Sequence, residues 1–495
     1  MTADEREEPG PRDRAGSRHV ARNAFFLVMG QVTTTALAIV LSASLGRYLG
    51  PEDFGVYYLI TTMALFTYVF VEWGQHYFVI RELAVDPARS GELLGTALAQ
   101  RAAFTILAAA PAWLVAWALG YDARTQGLSV LLILASLPLF VAQGYSLVFR
   151  ARDAMGRDAI VTVANKGVTL GLTLPALAFG AGIPGVILAQ AVAGVVALRV
   201  AVVLGRRLGT RQLRLSLATA RKLLAGGTPF LFMTAAIAVQ PYLDAVVLSR
   251  MAPANVVGWF GAARNVLGTL VAPATILAAA AYPTLSRASN DPATFRREVR
   301  STLRPLLWLG ALGATGTYLF ASTAIDLIYG SRGFGPASTI LEVFSPFLFL
   351  LFIDILLGNV IYASGRATPF AITKVVNVVV GTALDIALIP VFQERFGNGG
   401  MGVVVAFGLS EFVVCAGALF ILRRNTLQLA TALDVFRAIG SAALTLLLFH
   451  LLPPLPPWAG LPLCVTAFAS SSFALGLMGR DDLVMLRTLL RRRRG

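Results

Sequence analysis

RNAFFLVMGQVTTTALAIVLSASLGRYLGPEDFGVYYLITTMALFTYVFVEW, residues Arg22 to Trp73, decides how the rest of the chain is read. An apolar run of about 20 residues, long enough to cross a bilayer, ends at a turn built from Arg47, Gly50, Pro51, Glu52 and Asp53. A second apolar run follows Gly55, so the spacing predicts a transmembrane helical hairpin. The pattern returns as PFLFMTAAIAVQPYLDAVVLSRMAPANVVGWFGAARNVL, Pro229 to Leu267, with Arg250, Pro253 and Gly258 placed much as Arg47, Pro51 and Gly55. Two similar hairpins roughly two hundred residues apart imply an internal repeat, which in a polytopic membrane protein points to two bundles about a shared path.

Composition agrees. The 495 residues are 57% hydrophobic and 14% charged, and the mean hydropathy is +0.72; ordinary soluble domains carry roughly a quarter charged residues. The net charge of +15 does not mark a nucleic-acid binder, because the basic residues lie between apolar runs and form no separate basic domain. Cys415 and Cys464 fall inside apolar segments, and His19, His76 and His450 have no ligand spacing, so neither a disulfide framework nor a metal site is expected. The opening polar stretch, residues 1–21, reads as a disordered cytoplasmic tail.

Apolar runs place spans near 22–45, 55–74, 93–119, 127–149, 158–180, 183–204, 225–249, 256–283, 303–329, 340–363, 369–391, 400–422, 434–452 and 459–478, about fourteen transmembrane helices in an all-α integral membrane protein. Most of the 41 Lys and Arg fall in the two tails and the even-numbered loops. Arg47, Arg124, Arg250, Arg332 and Arg395 fall in odd loops, and Arg101, Lys166, Arg199, Arg264 and Lys374 within spans. That bias puts both termini in the cytoplasm.

The expected organisation is a six-helix bundle over 22–204, a basic cytoplasmic linker helix over 205–224, a second six-helix bundle over 225–422, two additional helices over 423–478, and a basic tail over 479–495. Because spans one and seven both start from the cytoplasm, the bundles would be related by a pseudo-two-fold axis along the membrane normal. The linker carries Arg206, Arg207, Arg211, Arg214, Arg221 and Lys222 among leucines, and the loop DPATFRREVRSTLRP has Phe295, Val299 and Leu303 at four-residue spacing. Both read as helices lying on the inner leaflet, with arginines reaching anionic head groups.

GAGIPG at Gly180–Gly185 matches a dinucleotide fingerprint in letters only, since it joins two spanning helices and follows no strand. No phosphate-binding G-x-x-x-x-G-K-[ST] occurs, so no ATPase activity is expected of this chain. Gly167-x-x-x-Gly171 reads as a close helix contact.

The hairpin turn LGPEDFGVYY, the Arg152–Arg157 turn RDAMGR with its counterpart ASGR, and the run NVVVGTALDIALIPVFQERFGNGGMGVVVAFGLSE from Asn377 to Glu411 carry a resemblance. The chain resembles a polysaccharide-unit flippase of the multidrug/oligosaccharidyl-lipid/polysaccharide exporter superfamily, over essentially everything after the N-terminal tail. The resemblance implies two six-helix bundles around a central cavity, two extra C-terminal helices, and alternating access that carries a polyprenyl-diphosphate-linked oligosaccharide outward. It implies no cofactor and no catalytic residues, and it makes membrane lipids and other polysaccharide-assembly proteins the expected partners. Asp385 departs from the pattern, where a neutral Asn is expected in many relatives.

An ionisable side chain at mid-bilayer costs a few kcal/mol, so it faces a cavity or a partner. Counted along the helices from the expected boundaries, Arg101, Lys166, Arg264 and Glu411 lie about 12–17 Å deep. Lys374 is shallower, Asp244 and Asp385 sit in the outer third, and Asp354 in the inner half. On the functional reading Arg264, Lys166, Arg101 and Lys374 draw a diphosphate into the cavity, and Asp385, Glu411, Asp244 and Asp354 are candidates for ion coupling. On the structural reading the same bases pair with Glu411, Asp244 or Asp354 and hold the bundles together.

Two alternatives lie within the superfamily: a peptidoglycan lipid-precursor flippase, or a multidrug/cation antiporter, which would bind cations with acids where this chain places bases. A membrane enzyme of polysaccharide assembly would need a substantial outer loop, and no odd loop exceeds about fifteen residues, far below the size of a domain.

Overall fold

The computed structural model describes residues 11–208, 210, 212–331, 333–422 and 426–479. Its elements are helices. They run α1 (Pro11–Glu72), α2 (Gln75–Val85), α3 (Ser90–Ala118), α4 (Ala123–Ala135), α5 (Leu137–Ala151), α6 (Met155–Ala178) and α7 (Gly182–Arg206). The chain continues through α8 (Leu217–Met251), α9 (Ala254–Ala288), α10 (Pro292–Tyr329), α11 (Gly335–Ala363), α12 (Ala367–Phe396), α13 (Gly399–Ile421), α14 (Leu429–Leu451) and α15 (Pro457–Ala474). Each expected span falls on a helix or a helix pair. Among the described residues eleven helical stretches are long and apolar enough to cross a membrane, by length and composition, and one of them, Met29–Glu72, covers most of the first two expected spans.

The chain divides into two compact units: the described residues up to Leu49 with Val56–Ala238, and Gly50–Gly55 with those from Val239 on. The expected boundary near residue 225 is therefore displaced, because α8 is one continuous helix and the division falls inside it. The two C-terminal helices belong to the second unit, where α14 and α15 pack on α10 and on each other.

The hairpin forms as expected, its two arms in the first unit and its turn, Gly50–Gly55, in the second. Gly50 leaves the helical region at φ 72° and ψ 173°, a conformation suited to glycine, and Pro51 opens the next segment with its φ already set. Gly30 lies against Ala159 near the start of α6, the Tyr57 hydroxyl accepts from Gln190 near the start of α7, and His76 reaches Arg150 at the end of α5. Gly30 and His76 are thus at one end of the unit and Tyr57 is at the other, so the chain reverses between them. The expected span at 127–149 lies in one stretch long and apolar enough to cross, Ala123–Ala151, whose helix is interrupted at Ser136 because Pro138 cannot donate to the carbonyl one turn back.

Two expectations fail. Residues 11–21, expected as disordered tail, continue α1; residues 1–10 lie outside the described residues. The linker helix over 205–224 does not form either. Its described residues from Leu208 to Ser216 are irregular, and helix resumes only at Leu217. Leu213, Leu215 and Leu217 alternate with a period of two, which no helix face can use. The segment is strapped along the start of α3: Arg214 N donates to Gly91 O and Ser216 N to Thr96 Oγ1, at 3.1 and 3.3 Å. A Cβ at Gly91 would come 2.2 Å from Gln212 O, so the glycine permits the strap. Arg211, Arg332, Arg423 and the basic tail from Arg480 lie outside the described residues. The loop at Asp291 is helical, as its spacing requires, with Phe295, Val299 and Leu303 buried, but it is the first part of α10 and not a separate surface helix.

In the second unit the turn Gly50–Gly55 is plugged in by Phe54, whose ring lies 5.6 Å from those of both Tyr329 and Phe334. A Cβ on Gly55 would lie 1.9 Å from Ala254 O, and one on Gly258 1.9 Å from Pro51 O. Backbone meets backbone at both positions, which is why the two hairpin motifs each carry this glycine. Gly258→Ala is expected to destabilise the protein by roughly 1–3 kcal/mol, read as a lower unfolding temperature in detergent, whereas Gly268→Ala, where a Cβ meets nothing within 4 Å, should not.

Candidate functional site

The second unit gathers six of the eight charged residues expected from the sequence. The buried residues of α12 are Phe370, Asn377, Gly381, Asp385 and Ile389, mostly at four-residue steps, so one polar stripe faces inward and the apolar remainder faces out. Opposite it on α8 stand Gln240 and Asp244, also four apart and buried. Asn377 Nδ2 donates to Gln240 Oε1 at 2.6 Å, and Gln240 Nε2 to Ser410 Oγ of α13 at 3.4 Å. Asp385 is 1% exposed and Asp244 2%; the two carboxyl groups interact electrostatically, and both oxygens of Asp385 are buried with no hydrogen-bond donor among the described residues. Two carboxyl groups attract only when a proton or another cation lies between them. Gly381 keeps the layer close, since a Cβ there would come 2.7 Å from Gln240 Nε2.

A second group lies on α11, α12 and α13. Lys374 Nζ donates to Asp354 Oδ2 at 2.8 Å and sits 5.5 Å over the Phe370 ring. Asp354 Oδ1 and Glu411 Oε2 are buried with no hydrogen-bond partner among the described residues, and Glu411 lies within the electrostatic reach of Asp354, Lys374 and Arg264. Arg264 on α9 is different. Its guanidinium lies 5.9 and 5.6 Å over the rings of Phe344 and Phe407, which are 5.2 Å apart, and it makes no hydrogen bond or ion pair among the described residues. The rings hold the cation by its face and leave its five N–H donors without a partner among the described residues.

In the first unit Arg101 is sealed. It is 0% exposed, donates from Nε to Gln75 Oε1 at 3.1 Å and from Nη1 to the Tyr68 hydroxyl at 2.9 Å and Phe140 O at 3.3 Å, and its Nη2 lies 3.5 Å from Glu72 Oε1. Gln75 Nε2 in turn donates to Gln100 Oε1 and Gln100 Nε2 to Ala220 O, at 3.1 and 3.0 Å. This network ties α1, α2, α3, α5 and α8, the structural reading of a buried arginine. Lys166 is half-buried on α6 beside a stripe of Asp158, Asn165, Thr169 and Thr173, and makes no hydrogen bond or ion pair among the described residues. Of the four expected cavity cations, then, Arg101 pairs with Glu72 and Lys374 with Asp354, while Arg264 and Lys166 pair with no acid.

Sequence reasoning missed Gln240, Asn377 and Ser410, and also Tyr68, Glu72, Gln75 and Gln100. Recurrence at four-residue steps, as in Asn377-Gly381-Asp385 and Gln240-Asp244, was the available signal.

A family model described as polysaccharide biosynthesis protein matches residues 20–289. Among solved structures, one described as the lipid II flippase MurJ in an inward closed conformation superposes with a TM-score of 0.74 at 13% identity, covering 93% of this chain and 99% of the other. An inward-facing multidrug resistance MATE family transporter of the MOP superfamily gives 0.64 at 14% identity, over 79% and 93%. A MOP superfamily transporter from Pyrococcus furiosus, described as having a binding pocket of reversed polarity, gives 0.55 at 14%, over 81% and 94%. No curated protein matches.

Proposed function

This chain belongs to the polysaccharide biosynthesis protein family, and we propose from that premise that it carries a polyprenyl-diphosphate-linked oligosaccharide from the inner to the outer leaflet of the cytoplasmic membrane by alternating access. It is a multi-pass membrane protein with the fold of known flippases and transporters. The reading rests most on Arg264 and Lys166, two cations inside apolar helices whose donors no acid occupies. A diphosphate cannot cross hydrocarbon unless its charge is met, and an unpaired guanidinium offers a fork that matches phosphate oxygens. The inside-negative potential helps: an anion leaving the cell gains about 2.3 kcal/mol per charge per 100 mV, roughly 4.6 kcal/mol for two charges. Other polysaccharide-assembly proteins are the expected partners of such a carrier.

The Asp244–Asp385 pair supplies a second element, a place where one cation exchanges as the helices move. Asp385→Asn is expected to leave expression unchanged and to flatten the pH dependence of transport in reconstituted vesicles, because the amide cannot take up or release a proton. An unaltered pH profile would leave the membrane potential as the driver. A peptidoglycan lipid precursor is the second reading, favoured by the near-complete superposition on a structure described as a lipid II flippase. In a strain lacking the protein, lipid-linked oligosaccharide should accumulate while peptidoglycan precursor levels stay normal; the reverse pattern would support the second reading.

A further inference from the structure

Asp434 is fully buried near the start of α14, and three arginines converge on it. Arg300 Nε donates to Oδ2 at 2.9 Å, Arg437 Nη1 to Oδ1 at 3.0 Å, and Arg304 Nε lies 3.9 Å from Oδ2. Arg300 and Arg437 share one carboxylate, a formal excess of one positive charge on that pair. Arg304 also donates from Nη2 to Leu477 O and Gly476 O, at 2.6 and 3.3 Å, just past the end of α15. That contact explains Arg304 as a tie between α10 and the C-terminal helices. It does not explain the outer edges of the other two. The Nη groups of Arg300 and Nη2 of Arg437 have no hydrogen-bond partner among the described residues, and these side chains are 36% and 37% exposed.

The cluster also has a defined level. Arg304 is followed directly by Pro305, Leu306, Leu307 and Trp308, so the guanidiniums stand where α10 turns apolar, the depth of phospholipid phosphates. On α14, Leu433 and Phe436 flank Arg437 and are 46% and 70% exposed, apolar surface of the kind acyl chains cover. We propose that Arg300 and Arg437, held by Asp434, bind the phosphodiester of an anionic phospholipid at the junction of α10 and α14. A phosphodiester accepts from two forks at once, and an anionic lipid is favoured over a zwitterionic one because the excess charge of Arg300 and Arg437 has no acid besides Asp434 within ion-pair distance among the described residues.

The test is native mass spectrometry of the full-length protein released from nanodiscs containing equal phosphatidylglycerol and phosphatidylcholine. Wild-type protein should retain phosphatidylglycerol preferentially. Arg300→Gln combined with Arg437→Gln should weaken that retention roughly five-fold per arginine removed in the protein that stays folded, at a lowered unfolding temperature because Asp434 then keeps only Arg304 Nε at 3.9 Å; adding Asp434→Asn should restore the unfolding temperature and not the lipid. Arg297→Gln, an exposed arginine on the same helix, should change nothing. Equal retention of both lipids by wild type, or equal loss in the Arg297 variant, would overturn the proposal. So would displacement of the lipid by millimolar inorganic phosphate, which would make this a free-anion site. A gain in phosphatidylglycerol retention in Asp481→Asn combined with Asp482→Asn, against none in wild type, would show that the chain's own acidic pair fills the site, and would overturn it too.

Discussion

Arg264→Ala is expected to fold and insert at wild-type levels and to export roughly 10- to 150-fold less lipid-linked glycan. The first half follows from what Arg264 touches: among the described residues it has no hydrogen bond or close ion pair to lose, only two ring contacts at 5.9 and 5.6 Å, each worth about 0.5–1 kcal/mol, and it acts on Asp244 and Glu411 from beyond ion-pair distance. The second half follows from what its donors are available for. Losing charge-assisted hydrogen bonds to a phosphate removes about 1.5–3 kcal/mol, which is the stated factor. Arg264→Lys should fall between, because charge survives without the planar fork. The measurement is glycan exported per molecule of membrane-inserted protein. Loss of the protein itself, rescued by neutralising Glu411, would instead make Arg264 a structural residue.

Arg101→Ala should do the opposite, removing the protein from the membrane rather than silencing it. The side chain is fully buried, and its removal leaves Glu72, Gln75 and Tyr68 facing a void. Breaking such a buried pair from one side costs about 3–5 kcal/mol. Thermal unfolding of the detergent-purified variant should shift strongly downward, and the Arg101→Ala, Glu72→Gln double variant should recover part of the loss because no uncompensated charge remains. An Arg101→Ala protein of normal stability and no transport would return Arg101 to the substrate path.

The contrast between these two arginines marks where sequence stops being informative. Both are single charges in apolar runs, at similar depth, and nothing local to either separates the sealed one from the open one. The difference is made by Glu72, Gln75 and Tyr68, residues at the end of one span and the start of α2, which only the fold brings to Arg101. The spans themselves were legible because the bilayer fixes their length and forbids charge, a constraint that acts on every residue of the run. The strap after α7 reads as a helix by composition, because its arginines and leucines are amphipathic in content, yet they lack a helical period. The neutral layer of Gln240, Asn377 and Ser410 was missed since amides and hydroxyls cost little in a span, whereas a carboxylate such as Asp385 draws attention at once. Pro138 could have predicted the interruption at Ser136, as Gly50 and Pro51 predict the hairpin turn.

The central claim is that a lipid diphosphate bearing an oligosaccharide is the cargo and that Arg264 and Lys166 meet its charge. It is tested most directly with purified protein in vesicles, inside-negative, carrying a fluorescent polyprenyl-diphosphate oligosaccharide in the inner leaflet, and scoring the label that becomes accessible from outside. Wild-type protein should move the label, the Arg264→Ala, Lys166→Ala double variant should not, and a polyprenyl-linked oligosaccharide lacking the diphosphate should stay put with either. Equal transfer by the double variant, or transfer of the diphosphate-free lipid, would contradict the account.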